Sequence, residues 1–266
     1  MHLKFTSQGG LIYLTMAAFL FAAFFFFLRG KQQKQLGAGF WFAAFAAAIV
    51  SVAYRGIHTG HPPMQNLFEF FLCMAASLWP LSLLSKKQTG LDTRLQDALL
   101  GLLILIPAGF VFDEGVRRLP PALQSPLFVP HVGSYVAAYI MLARAALMAL
   151  PMFWVTAQSD PSRLRQLDTA SRQTAAMGFV LLTLGLLLGS LWGKICWGHY
   201  WQWDPKEMWS LATWFVYAAY FHFRLKSGIR HPRVLATLLF LGLLFIILTL
   251  TWINLSRHFQ GAHSYA

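Results

Sequence analysis

The sequence has few charged residues for its length. Asp, Glu, Lys and Arg make up 11% of its 266 residues, whereas hydrophobic residues make up 57% and the mean hydropathy is +0.54. A soluble domain usually carries about 25% charged residues. The deficit excludes an ordinary soluble domain and indicates that most of the chain lies in a lipid bilayer, where charge is costly.

Acidic residues are the scarcest charged class, with 9 against 21 basic residues and a net charge of +12. Such an excess can indicate a nucleic-acid partner. Here, however, Lys and Arg fall in short clusters between apolar runs, which is the distribution that encodes membrane topology. We therefore expect no nucleic-acid binding.

Cysteine is almost absent, and the two cysteines, Cys73 and Cys196, form no C-x-x-C pair. A redox or zinc role therefore has little support. His58 and His61 lie in R-G-I-H-T-G-H-P-P, but no carboxylate or cysteine nearby completes a zinc ligand set. These two histidines are interpreted as loop residues.

Long apolar runs dominate the sequence, and a membrane-spanning helix needs roughly 20 apolar residues. The connections between the runs are short, and no cleaved signal peptide is expected. We predict an all-α integral membrane protein that forms a single polytopic domain over residues 1–266. Eight transmembrane helices are expected at about 11–28, 36–54, 67–84, 95–112, 132–154, 174–193, 207–223 and 235–254.

The loops between these spans differ in charge, and one alternate set carries most of the basic residues. The positive-inside rule places that set in the cytoplasm, so both termini are expected outside. The one long inner loop, 156–173, is interpreted as a polar connector. The predicted cytoplasmic residues are Arg29, Lys31, Lys34, Lys86, Lys87, Arg94, Arg163, Arg165, Arg172, Arg224, Lys226, Arg230 and Arg233.

A Trp-rich segment, I-C-W-G-H-Y-W-Q-W-D-P-K-E-M-W-S, spans residues 195–210 and is predicted to lie in an outer loop. Interfacial aromatic belts are the ordinary explanation for Trp and Tyr at a membrane edge. This segment is denser than a belt, and it makes a flat, apolar surface with polar tips that suits a planar macrocycle. Asp204, Pro205 and Glu207 also predict a helix start, which is the alternative role for the two carboxylates.

Three histidines are candidate haem ligands, because haem iron takes axial ligands from imidazole. His131, at the start of the fifth span, and His263, in the C-terminal tail, share the outer face with the Trp-rich segment. His222 lies near the inner end of the seventh span, where an ionisable group indicates function but could also reach the headgroups. His199 and Arg55 are further outer-face candidates for contact with haem.

Two ionisable residues inside the spans have no assigned role. Glu69 lies near the start of the third span, where it can cap the helix or face the bundle interior. Arg144 lies midway through the fifth span and must face protein or water.

The segment W-G-H-Y-W-Q-W-D-P-K-E-M-W-S resembles the WWD signature of proteins that handle haem in cytochrome c maturation. Within that group, the sequence is most similar to CcsA, also called ResC, of the system II CcsBA cytochrome c synthase. Four further stretches support this resemblance: H-P-P-M-Q-N-L-F-E-F, L-Q-S-P-L-F-V-P-H-V, Y-F-H-F-R and G-A-H-S-Y. Together they extend from about residue 55 to the end of the chain.

The resemblance implies a site and partners. His131 and His263 match the two external histidine ligands of haem iron, and His222 matches the membrane-embedded histidine. A CcsB/ResB-type membrane protein is implied as the partner that supplies a second embedded histidine. Haem b is implied as bound ligand and substrate, an apocytochrome c with a C-x-x-C-H motif as acceptor, and the bacterial inner membrane as location. The WWD motif falls on Trp197, Trp201, Trp203 and Asp204.

The implied activity is that of the CcsA subunit of a holocytochrome c synthase, or haem lyase, and no residue is nominated as a catalytic acid or base. Three alternatives stay open from the sequence. A CcmC-like protein would deliver haem to a chaperone without forming the final bonds. A membrane electron-transfer subunit would need paired histidines inside spans, and a plain permease would not need the Trp cluster.

Overall fold

The structure, a computed structural model, describes residues 3–28, 30–155 and 159–251. Within these ranges the chain forms eight long α-helices and no strand, and short 3₁₀ turns lie at Pro121–Leu123 and Leu150–Phe153. The helices are α1 (Ser7–Phe27), α2 (Lys31–Thr59), α3 (Leu67–Thr89), α4 (Arg94–Phe110), α5 (Phe128–Ala149), α6 (Pro161–Trp197), α7 (Pro205–Ser227) and α8 (Pro232–Leu250). The prediction of an all-α membrane protein with eight helices is confirmed.

Six of the described helices are long and apolar enough to cross a membrane by themselves: α1, α2, α3, α5 with its following 3₁₀ turn, α6 and α8. Helix α4 has only 17 residues, and α7 carries charges near both ends. In α7 these charges flank an apolar centre that runs from Met208 to Phe223, about 24 Å of helix. The chain is therefore a multi-pass membrane protein, with α4 and α7 as its less apolar helices.

Helix α6 is much longer than the predicted sixth span, with 37 residues from Pro161 to Trp197. Asp160 caps its first turn, since its carboxylate accepts a hydrogen bond of 2.8 Å from the amide of Arg163. Leu164 and Leu167 are buried on one face of the added turns. The interpretation of residues 156–173 as a plain connector is therefore wrong from Pro161 onward. The residues there are mostly polar, but their apolar side chains lie on one face, and they form the first turns of α6.

The helices form two compact units, α1–α4 and α5–α8. In the first unit α1 packs against α2 and α4, and Trp79 of α3 stacks on Phe45 of α2 with ring centroids 4.7 Å apart. The expectation of one domain over the whole chain stays a prediction.

In the second unit α5 is the most buried helix and packs against α6 and α8. Ile140, Met141 and Leu142 are fully enclosed at its centre, and Arg144 is only 1% exposed. Helix α7 packs against α8 and α6, and the ring of Tyr217 lies against Gly242 of α8. This unit contains the Trp-rich loop together with His131 and His222.

Candidate functional site

The Trp-rich loop, residues 198–204, joins the end of α6 to the start of α7. Helix α6 ends because Gly198 adopts the left-handed conformation, with φ of 82°, and its amide donates to the carbonyl of Lys194. The ammonium group of Lys194 donates back to the carbonyl of Gly198 over 2.8 Å. The same ammonium lies 5.5 Å from the ring centre of Tyr200, so a cation stands at one end of the loop.

Helix α7 begins at the other end of the loop with the cap that the sequence predicts. The carboxylate of Asp204 accepts from the amide of Lys206 over 2.8 Å, and Pro205 occupies the first helical turn. Glu207 completes a capping box with Asp204. Capping is therefore confirmed as a role of both carboxylates, and it fixes where the loop stops.

The loop presents aromatic rings to its surroundings. Trp203 is 68% exposed and Tyr200 is 56% exposed, whereas Trp201 is half-buried. The rings of Trp201 and Trp203 meet edge to face, with centroids 6.0 Å apart and planes at 84°. The exposed ring of Trp203, held edge to face against Trp201, offers an apolar face for a flat ligand.

The base of the loop is connected to His131 through Trp192 of α6. Trp192 is 2% exposed, and its ring centre lies 5.1 Å from that of Trp197 and 5.5 Å from that of His131. A buried tryptophan thus brings together His131 and the Trp-rich loop, which the sequence assigns to one membrane face.

His131 lies in the first turn of α5 and points across to α6. Its Nδ1 atom lies 2.9 Å from the carbonyl oxygen of Gly185. A carbonyl oxygen only accepts hydrogen bonds, so Nδ1 carries the proton, and in the neutral ring Nε2 carries the lone pair. Histidines that bind metals commonly donate their other ring N–H to a carbonyl or carboxylate, which fixes both tautomer and orientation.

Three glycines at four-residue intervals on α6 form a surface that we call the glycine stripe, residues Gly185, Gly189 and Gly193. A methyl group at Gly189 would lie 2.5 Å from Cε1 and 3.0 Å from Nδ1 of His131, and one at Gly185 would lie 2.9 Å from the ring of Tyr135. A methyl group at Gly193 would lie 3.2 Å from the carbonyl oxygen of His199. Small residues let helices approach closely, and here they make room for both the histidine ring and the loop backbone.

Arg55, a sequence-based candidate for contact with haem, is used inside the first unit. It is 4% exposed, and its Nε donates to Glu69 over 2.9 Å. Its two terminal nitrogens donate to the carbonyls of Glu114 and Gly115 over 2.6 and 3.0 Å. The propionate interpretation of Arg55 is therefore wrong, because its donors already stabilise the fold, and Glu69 is the partner that compensates its charge.

The histidine pair His58 and His61 forms no metal centre within the described residues, where no group of three His, Cys, Asp or Glu side chains could hold an ion. The ring of His58 packs against that of Tyr54 with centroids 4.1 Å apart and planes tilted by 31°, and Nδ1 of His61 lies 3.0 Å from the carbonyl of Pro62. The interpretation of both as loop residues is correct for His61 and wrong for His58, which lies in the last turn of α2.

Comparison with known proteins matches residues 64–259 to the family model described as Cytochrome C assembly protein. This range contains the Trp-rich loop, His131 and His222. The chain belongs to the cytochrome c assembly protein family. It is similar to the cytochrome c biogenesis protein CcsA of Prochlorococcus marinus subsp. pastoris, with 31% identity over 78% of this chain and 77% of that protein. It is also similar to the CcsA of Synechococcus sp. strain WH7803, with 30% identity over 79% of each chain.

In this member of the cytochrome c assembly family, His222 lies far from the loop. It is 17 residues beyond Pro205 on α7, which corresponds to roughly 25 Å along the helix axis. Its side chain is exposed on the surface of the second unit. Two residues further on, Arg224 turns inward and pairs with Asp168 of α6 over 2.9 and 2.6 Å. His131 and His222 therefore belong to two separate places in the unit.

His263, the second predicted outer ligand, lies outside the described residues and outside the range that the family model matches. Trp192 and the glycine stripe are the neighbours of the site that sequence reasoning missed. The repeated G-x-x-x-G-x-x-x-G spacing from Gly185 to Gly193 was the available signal for a close helix contact.

Proposed function

We propose that this chain binds haem b at the outer face of the membrane and presents it for covalent attachment to apocytochrome c. It acts in cytochrome c biogenesis as one subunit of a complex with a CcsB/ResB-type membrane protein. The family assignment and the names of its CcsA relatives support this role over haem delivery to a chaperone.

The observation that carries the proposal is the hydrogen bond from Nδ1 of His131 to the carbonyl of Gly185. It makes Nε2 the ring nitrogen that carries the lone pair, and the ring packs closely against Gly189. Haem iron with its flat ring fits this donor beside an aromatic loop.

The Trp-rich loop supplies the apolar contacts in this proposal. Trp197 supports the loop base against Trp192, Trp201 and Trp203 provide ring surfaces, and Asp204 fixes the loop end by capping α7. The ammonium group of Lys194 lies beside the ring of Tyr200 in the same loop, where it would neutralise a haem propionate.

Two further histidines complete the proposed path, and both rest on the resemblance. His263 is the second outer ligand, which makes the site bis-histidine. His222, exposed on α7, takes up haem in the inner part of the membrane together with a histidine from the partner.

The reaction at this site joins the vinyl groups of haem to the two cysteine thiols of a C-x-x-C-H motif. Each thiol adds its sulfur and its hydrogen across one vinyl double bond, so two thioether bonds form without net oxidation. The chain's own residues bind, orient and shield the reactants, which is how position alone accelerates a reaction between bound groups.

The basic loops support an orientation with both termini and the Trp-rich loop on the outer side. The bacterial inner membrane is the proposed location. There the loop faces the compartment where c-type cytochromes receive their haem.

The test is the absorption spectrum of the purified chain, produced together with its partner protein, and the yield of c-type cytochromes in cells that lack the gene. We expect a protein that retains haem with a bis-histidine spectrum, and cells that make apocytochrome without attached haem. A colourless protein, or a normal cytochrome yield in its absence, would contradict the proposal.

A further inference from the structure

Trp203 adopts a backbone conformation that is costly for its residue type. Its φ is 58°, and it is the only non-glycine residue with positive φ among the described parts of the chain. In this left-handed region the Cβ atom crowds the backbone, and a bulky residue there is a genuine outlier that the surroundings must enforce. Nearby Gly198 shows that the sequence places glycine at a left-handed position when only a turn is needed.

The carboxylate of Glu207 accepts hydrogen bonds from the amides of the two residues that flank Trp203. One oxygen, Oε2, accepts from the amide of Gln202 over 2.9 Å and from the amide of Asp204 over 3.2 Å. A carboxylate oxygen has the lone pairs for two such bonds, and hydrogen bonds to a charged acceptor are the strong ones. An ordinary capping box needs only the bond to Asp204, so the bond to Gln202 is an additional restraint.

We propose that Glu207 is a positioning residue that holds Trp203 in its left-handed conformation and so fixes the Trp203 ring for contact with haem. The two hydrogen bonds span Gln202 and Trp203, so they restrain the backbone of Trp203 together with that of the residue before it. The ring is then set edge to face with Trp201 and stands 68% exposed. This inference rests on the proposed haem-binding role of the loop.

The conformation has a consequence for binding. A loop that is already ordered when the ligand arrives does not lose further conformational freedom on binding, so pre-organisation raises affinity. Glu207 itself need not touch haem for this effect, because it acts through the backbone on either side of Trp203.

The first arm of the test needs no haem. Deuterium exchange is measured on the full chain in lipid nanodiscs for Glu207→Ala and Glu207→Gln. We expect the amides of Gln202 and Asp204 to exchange about tenfold faster or more in Glu207→Ala, the effect of losing a hydrogen bond to a charged group. Glu207→Gln keeps an acceptor oxygen and is expected to retain most of the protection. Wild-type exchange in Glu207→Ala would overturn the positioning role.

The second arm measures haem per protein and the Soret spectrum for the same variants, with Asp160→Ala as control. Asp160 is exposed and caps the opposite end of α6, so the substitution removes a helix cap without touching the loop. We expect haem affinity to fall about tenfold in Glu207→Ala, as when a group that orients a binding contact is lost. In Glu207→Gln and Asp160→Ala, haem affinity is expected to stay at the wild-type level. Undiminished haem in Glu207→Ala would overturn the functional part of the inference. A colourless wild-type protein would instead contradict the proposed function, and the exchange arm would still decide the role of Glu207.

Discussion

The ring of His131 lies directly against Gly189, so closely that a single methyl group at this position would come within 2.5 Å of Cε1. The carbonyl of Gly185, one turn earlier on the same helix, accepts a hydrogen bond from the Nδ1–H group of this ring. One glycine therefore provides the space for the ring and the other sets its tautomer. The orientation of the proposed haem ligand depends on α6 as much as on α5.

Gly189→Ala is expected to displace the His131 ring and to lower haem retention about tenfold, with an altered Soret spectrum. The added methyl group cannot be accommodated unless the ring moves away from Gly185. Haem per protein and the spectrum of the purified variant check this expectation.

Two control glycines separate ring displacement from general damage to packing. Gly178→Ala meets the side chain of Leu142 at 2.7 Å, so it strains the same pair of helices away from His131. Gly133→Ala lies two residues from His131, where nothing comes within 4 Å. We expect both to retain the wild-type spectrum. If Gly178→Ala changes the spectrum as Gly189→Ala does, the effect of Gly189→Ala comes from general damage to helix packing and not from displacement of the His131 ring.

Arg55→Ala is expected to destabilise the fold and to leave haem binding per folded protein unchanged. The substitution leaves the Glu69 carboxylate buried without its cation, and breaking a buried ion pair costs about 3–5 kcal/mol of the free energy of unfolding. Thermal unfolding in detergent and haem per folded protein are the two measurements. Arg117→Ala, at an exposed arginine of the loop that follows α4, serves as the control and should change neither. A loss of haem at unchanged thermal stability would instead support a contact between Arg55 and a haem propionate.

His222→Ala is expected to lower the amount of haem at the outer site several-fold in cells that also make the partner protein, with unchanged thermal stability. Its side chain is exposed on α7 and contributes little packing, so a loss of haem would not be explained by a destabilised fold. Leu225→Ala, at a residue of α7 that is 84% exposed, is the matched control. Wild-type haem at the outer site in His222→Ala would remove this residue from the proposed uptake path.

The sequence predicted the parts of the molecule that depend on composition and local signals. The helices follow from long apolar runs, and the start of α7 follows from Asp204 and Pro205, which act within a few residues of themselves. The length of α6 was missed because its first turns are polar, and their helical character rests on an amphipathic face that includes Leu164 and Leu167.

The features that could not be predicted from the sequence depend on which helix surfaces contact each other in the folded protein. Gly185 and Gly189 gain their role only from the register in which α5 lies on α6, and a spacing of glycines does not state what packs on them. Arg55 and Glu69 were separately notable, but their pairing needs the relative rotation of α2 and α3. The left-handed conformation of Trp203 could not be predicted, because tryptophan rarely adopts it.

The central claim is that His131 and His263 ligate haem iron at the outer face, and the most direct measurement is rescue by free imidazole. His131→Gly and His263→Gly are purified with the partner protein, and haem content, spectrum and c-type cytochrome yield are measured with and without added imidazole. We predict that each substitution removes most of the haem and that imidazole restores both the bis-nitrogen spectrum and the cytochrome yield. Unchanged haem and yield in both variants would contradict the ligand assignment.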